Sequence, residues 1–187
     1  RYSLEEVDMR SFFDDNDHLF HGMLKGLVTA GVSDAYKTSV KDLRKELMGW
    51  LEKHPGDDFR GKSLEQLALE KMDQPDSTLS AYAEKNQPGS ELELYLLSKA
   101  KGVNVHLYTE DASSGNFVFE EVIKAGEDEE LENAPIIRFV QKSGEDCYKL
   151  FVPKRNAIMR ELKSLSLKEL IGLYDRVAKK LEDRNGW

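Results

Sequence analysis

An α+β fold is predicted by two changes along the chain. From Leu19 to Lys101 the apolar residues recur at three- and four-residue spacing, the period of helices. From Val103 to Val152 the spacing falls to two, in short runs typical of strands. Gly and Pro clusters, at Gly31, Pro55-Gly56, Pro75, Pro88-Gly89 and Gly102, divide the helical part. Helices first and strands last argue for a small central sheet built mainly from the C-terminal half and flanked by helices.

Leu4, Val7 and Met9 suggest a short N-terminal strand, and Phe12 and Phe13 are expected in the core. Phe20, Met23, Leu24, Leu27 and Val28 mark a first helix that starts near Leu19 and ends at Gly31. Gly22 and Gly26 lie on that helix. Glycine costs about 1 kcal/mol against alanine there, so close packing should offset it. Ser33 and Asp34 are expected to open a second helix, with Tyr36, Val40, Leu43, Leu47, Trp50 and Leu51 buried and His54-Pro55-Gly56 as its stop. Ser63 with Gln66 forms a capping box for a third helix carrying Leu64, Leu67 and Met72. Leu79, Tyr82 and Ala83 mark a fourth. Ser90 with Glu93 caps a fifth that runs through Leu92, Leu96 and Leu97 to Gly102.

Strands are expected over Val103–Tyr108, Phe117–Val122, Ile136–Val140 and Cys147–Val152, joined in large part as sequence neighbours. Asp111–Asn116, the acidic stretch Gly126–Asn133 and Lys142–Asp146 read as loops. Beyond Lys154 the pattern turns helical again. Ser166 with Glu169 starts a helix with Leu170, Tyr174, Val177 and Leu181 on one face. The domain is therefore expected over residues 1–153, with a C-terminal helical extension over 154–187 that packs back or docks another protein.

Of 187 residues, 40% are hydrophobic and 33% charged, enough apolar material for a real core. A net charge of −8 disfavours nucleic acid and anionic membrane as partners and favours a basic protein surface. The single cysteine, Cys147, excludes an internal disulfide and suits a reducing, intracellular compartment, cytoplasmic or nuclear. No apolar run reaches membrane-span length. A chain opening at Arg1 without a signal-like segment is expected of an excerpt from a longer protein.

The stretch Asp14-Asp15-Asn16-Asp17-His18-Leu19-Phe20-His21-Gly22 is the chemical focus. An acidic corner runs straight into an apolar helix, where free backbone N–H groups gather. Cysteine hydrolases place a nucleophile at such a start, because the helix field lowers a thiol's pKa. Here that position holds His18. His18 and His21 beside Asp14, Asp15 and Asp17 have ligand chemistry, but no further His or Cys cluster completes a metal site, and none is expected. No cofactor is implied. His106 and Cys147 read as ordinary strand residues.

In order along the chain, these fragments resemble the ovarian-tumour (OTU) family of cysteine deubiquitinases. The family's Asp-Gly-Asn-Cys-Leu-Phe reads here Asp15-Asn16-Asp17-His18-Leu19-Phe20. Its Trp-Gly-Gly helix start and following strand read Pro88-Gly89-Ser90 and then Val103-Asn104-Val105-His106-Leu107-Tyr108. Its closing His-Tyr-Asn reads Cys147-Tyr148-Lys149. The resemblance covers Leu4 to Pro153. It implies an OTU-like cysteine-protease fold, and it implies that Asp15, His18, Cys147 and Lys149 occupy the family's site.

Asp15 matches the family. His18 replaces the nucleophile, Cys147 the histidine, and Lys149 the residue that orients it, so normal thiolate chemistry should be absent. Three readings follow. The domain is a pseudoenzyme that binds ubiquitin, a ubiquitin-like modifier or another protein. Or the dyad is swapped, with Cys147 as nucleophile and His18 as base. Or the register is off by one, and Asp17 takes the nucleophile's place. The domain could also be a scaffold with no ubiquitin role, presenting the tail helix. The resemblance places a ubiquitin body against residues around Asp57–Ala83. It places the ubiquitin tail between Asp14–His18 and Asp146–Tyr148, with Asp14, Asp17, Asp146 and Tyr148 as contacts and His18 narrowing the groove.

Overall fold

A computed structural model describes residues 4–7, 16–72, 77–85, 87–126, 133–141 and 148–153 of the chain. The expectations for Met9, Phe12, Phe13, Asp14, Asp15, the 127–132 loop, the 142–146 turn, Cys147 and the helices beyond Lys154 lie outside these residues. The chain forms two compact units, Glu6–Val152 and Arg1–Glu5 with Pro153–Trp187. The helices below belong to the larger unit.

The described elements, in order, are β1 (Leu4–Val7), α1 (His18–Thr29), a 3₁₀ turn (Ala35–Lys37), α2 (Val40–Lys53), β2 (Asp58–Phe59), β3 (Lys62–Ser63), α3 (Leu64–Glu70), α4 (Leu79–Glu84), α5 (Glu91–Lys101), β4 (Asn104–Glu110), β5 (Phe117–Ile123), β6 (Ile136–Gln141) and β7 (Tyr148–Pro153). The α+β class holds. Five strands form one sheet in the order β1-β7-β6-β4-β5, and β2 with β3 makes a separate hairpin.

Side-chain caps set four of the helix starts, those of α2 to α5. Ser63 and Gln66 form the reciprocal box that opens α3, and Ser90 and Glu93 the box that opens α5. Thr78 caps α4. Gly102, at φ 60°, closes α5 in the left-handed conformation glycine adopts freely. Helix α5 touches α2, α3, β4 and β5. It buries seven consecutive residues, Leu92 to Ser98, as a helix enclosed on all sides must. The buried Ser98 hydroxyl donates to the carbonyls of Val103 and Ile123, so its polar atom is satisfied.

Three expectations need correction. Helix α2 does not start at Ser33–Asp34. Asp34 sits at φ 63° and leads into the single 3₁₀ turn, after which Ser39 caps the helix. The Ser39 hydroxyl accepts the Asp42 N–H at 3.1 Å and the Asp42 carboxylate accepts back from Ser39, a reciprocal pair that the Ser33–Asp34 site lacks. Tyr36 consequently falls before the helix and is 65% exposed rather than buried. Second, the sheet is not built from sequence neighbours alone. Strands β4 and β5 pair antiparallel with a bulge at Leu107/Tyr108, but the chain then returns to lay β6 parallel to β4 on its other side. Third, the β2–β3 hairpin is an addition, with Arg60 and Gly61 both at positive φ in its turn.

The core joins Leu19, Phe20, Met23 and Leu27 of α1 to Leu43, Leu47 and Leu51 of α2, Leu94 and Leu97 of α5, and Val105, Leu107, Phe139 and Leu150 of the sheet. The glycines of α1 are where the helix meets the sheet. A methyl group at Gly22 would lie 3.4 Å from Phe139 and one at Gly26 only 2.5 Å from Ile137, the close packing expected of that pair.

Candidate functional site

The first turn of α1 forms one wall of the candidate site. His18 is its first residue and Asp17 its N-cap, yet the Asp17 side chain does not cap the helix. Arg44 of α2 holds it instead. The guanidinium donates to Asp17 Oδ1 from Nε at 2.9 Å and from Nη2 at 2.6 Å. It also donates to the Asn16 carbonyl at 2.5 Å and the Gln87 carbonyl at 3.0 Å. Its Cζ lies over the Phe20 ring, 3.7 Å from the centroid, a cation–π contact. One arginine thus ties the acidic corner to α2 and to the loop before α5. That loop presses on α1 at Gly89, where a Cβ would fall 2.6 Å from Leu19 Cδ2, so only glycine fits. His21, one turn in, is held below its ordinary pKa by burial and by the neighbouring His18, against the pull of Asp17.

The end of the sheet forms the other wall. Gly26 faces Ile137 and Leu150, and Gly22 faces Phe139 and Leu150. Each step of four residues back along α1, about 6 Å, matches two residues forward on β6. The next step carries His18 toward Gln141, the register partner of Tyr148. The helix start and the first described residues of β7 therefore belong to the same end of the sheet.

Strand alternation separates the predicted residues. Leu150 lies on the α1 face, opposite Phe139, and Tyr148 shares that face. Lys149 pairs with Val140 and so lies on the other face, with Phe151, whose ring packs on Tyr108 and Phe117. Lys149, the residue matched to the family's orienting position, is buried on the side of the sheet away from α1. Asp14, Asp15, Asp146 and Cys147 are outside the described residues.

Tyr148 is tied to α5. Its hydroxyl donates to Glu91, and burial together with that carboxylate pushes the phenol well above its ordinary pKa. Glu91 also accepts from Arg60 at 2.5 Å, and Arg60 reaches on to Glu121. The hairpin turn is thereby fastened over a cleft of about 550 Å³ lined by Phe59, Leu67, Lys71, Leu92 and Tyr148. Deeper in, the Glu93 carboxylate, 2% exposed, accepts from Lys71 at 2.9 Å, from the Ser90 N–H at 2.6 Å and from Tyr82. Sequence reasoning found Ser90 and Glu93 as a cap. It missed Arg44, Arg60 and Lys71, whose partners are 11 to 61 residues away and leave no local signal; the Arg60-Gly61 pair, both at positive φ, was the one readable turn cue. Among the described residues no group of three or more His, Cys, Asp or Glu side chains could hold a metal ion.

No protein-family model matches the chain, and no curated protein sequence matches it. Solved structures do. The OTUD1 OTU domain superposes with a TM-score of 0.53 at 15% identity, over 79% of this chain and 85% of that one. An OTU deubiquitinase from Wolbachia pipientis wMel bound to ubiquitin gives 0.51 at 13% identity, over 81% and 96%. A second structure of an OTU deubiquitinase from the same organism gives 0.50 at 14%, over 92% and 96%. At such identities the likeness speaks to the fold: the chain has an OTU-like α+β fold.

Proposed function

We propose that this chain is an OTU-like domain without cysteine-protease activity, which binds ubiquitin, a ubiquitin-like modifier or another protein. One observation carries the loss of activity. The four histidines are His18, His21, His54 and His106, and the only cysteine is Cys147. No thiol is available at the start of α1 and no imidazole on β7, in whatever register the motifs are matched. As first matched, the site reads His18, Cys147 and Lys149. Shifted by one, it reads Asp17, Asp146 and Tyr148, which places Tyr148 on the α1 face where the orienting group belongs. Neither set puts a thiolate at the helix start with an imidazole opposite it, and losing one member of such a unit costs about 10⁴–10⁶ in rate. The binding half of the proposal draws on the fold and on the cleft beside Tyr148, where the OTU resemblance puts the modifier against residues 57–83. Residues 154–187 are proposed as an extension that docks another protein.

An activity-based ubiquitin probe tests the first half. The wild type should remain unlabelled. A variant with His18→Cys, Cys147→His and Lys149→Asn restores one register, and one with Asp17→Cys, Asp146→His and Tyr148→Asn the other; labelling of either supports the reading. Labelling of the wild type at Cys147 overturns it in favour of the swapped dyad. Titration with ubiquitin, followed by NMR, tests the second half. Shifts around residues 57–83 and Tyr148 are expected. None up to about 1 mM, an interaction weaker than about 4 kcal/mol, would leave the domain a scaffold for other proteins.

A further inference from the structure

Strand β5 ends the sheet, and among the described residues nothing pairs with its outer edge. Edges of this kind are usually blunted by Lys, Pro or a covering loop. Here the edge carries Phe117, Val118 and Phe119 in sequence, 37%, 51% and 50% exposed, with no Lys or Pro in the strand. The two phenylalanines point to one face. There Phe119 packs edge-on against Tyr108 and His106, and Phe117 against Phe151, so the exposed rings continue an aromatic stripe across the sheet. Val118 points to the opposite face.

We propose that β5 is a homodimer interface, in which two copies of this chain pair their β5 edges antiparallel about a two-fold axis through Val118. The triplet is a palindrome, and that is what selects the partner. With the axis at Val118, Phe117 of each copy lies opposite Phe119 of the other and Val118 opposite Val118, so every exposed apolar residue meets another. The same register sets Glu120 opposite Asn116 and Glu121 opposite Gly115. An axis at Phe119 would set Val118 and Phe117 against Glu120 and Glu121. An axis at Glu120 would oppose the two Glu120 carboxylates. Only the Val118 axis matches apolar with apolar and keeps like charges apart. Two copies at −8 each repel, so association should strengthen with salt, the reverse of an interface held by ion pairs.

Sedimentation equilibrium of the whole chain tests this. The wild type should be dimeric at about 100 µM, with a dissociation constant that tightens several-fold between about 50 and 500 mM NaCl. Val118→Lys and Val118→Glu should each be monomeric, because the axis sets each new charge against its own copy. An equimolar mixture of the two should dimerise again. Amide exchange of Phe117–Glu121 in the wild type should slow with rising protein concentration, a readout that needs no variant to fold. A monomeric wild type, a dimer retained by either variant, a mixture that stays monomeric, or exchange independent of concentration overturns the proposal.

Discussion

Helices α1 and α5 both run from a polar corner into the core, but their first turns are built differently. At α5 the capping groups serve the helix. Ser90 and Glu93 cap it reciprocally, and Lys71, Tyr82 and Ser90 surround the buried Glu93 carboxylate. At α1 the capping residue is drawn elsewhere: Asp17 faces Arg44, the first turn carries no acid, and His18 and His21 stand side by side. One helix start is spent on stability. The other opens on an imidazole, His18, with its cap residue held by Arg44.

The largest test of that contrast is Glu93→Ala. It takes the carboxylate from a half-buried Lys71 ammonium and from the buried Tyr82 hydroxyl, and should lower unfolding free energy by about 2–3 kcal/mol in denaturant titration. A loss below about 1 kcal/mol would mean that α5 is no better anchored than α1. Next come the two glycines that seat α1 on the sheet. Gly26→Ala should cost about 1–2 kcal/mol, since the new methyl would lie 2.5 Å from Ile137 Cγ2 and overpacking exceeds the gain in helix propensity. Gly22→Ala, at 3.4 Å from Phe139, should be neutral or stabilising by up to about 1 kcal/mol. Equal effects at both sites would refute the seating described for α1. Removing the α5 cap by Ser90→Ala should cost about 1 kcal/mol, read as a lower melting temperature.

The smallest effect is electrostatic and lies at α1. His21 should titrate below its ordinary value in an NMR pH series, because burial opposes its charge. Replacing His18 with Gln should raise that pKa, and Asp17→Asn should lower it. The folded chain then binds fewer protons than the unfolded chain just below pH 6.5, so His21 makes stability rise with pH through that window and level off above it. A His21 that titrates above pH 6.5 would show that Asp17, not burial, governs the first turn of α1.

Local signals made much of the fold legible. The boxes Ser63–Gln66 and Ser90–Glu93 fixed α3 and α5, and Gly102 marked the switch to strands. At α2 the expected start at Ser33 lies six residues before the observed cap, which the reciprocal bonds of Ser39 and Asp42 mark. Strands β2 and β3, two residues each, are too short to carry a period. The focus on α1 and on the start of β7 was legible as motif fragments, but which face of β7 meets α1 was not, because a strand's pattern does not say which side is covered.

By itself the sequence determined the order of helices and strands, most helix starts, and the lack of both a thiol before Leu19 and a histidine after His106. These are consequences of side-chain chemistry within a turn or two, or of composition alone. Only the tertiary structure decided that β6 lies parallel to β4, that Lys149 turns away from α1 while Tyr148 faces it, and that Arg44, Arg60 and Lys71 bind distant carboxylates. Those outcomes depend on which surfaces meet when the core closes, and partners separated by tens of residues become neighbours only then.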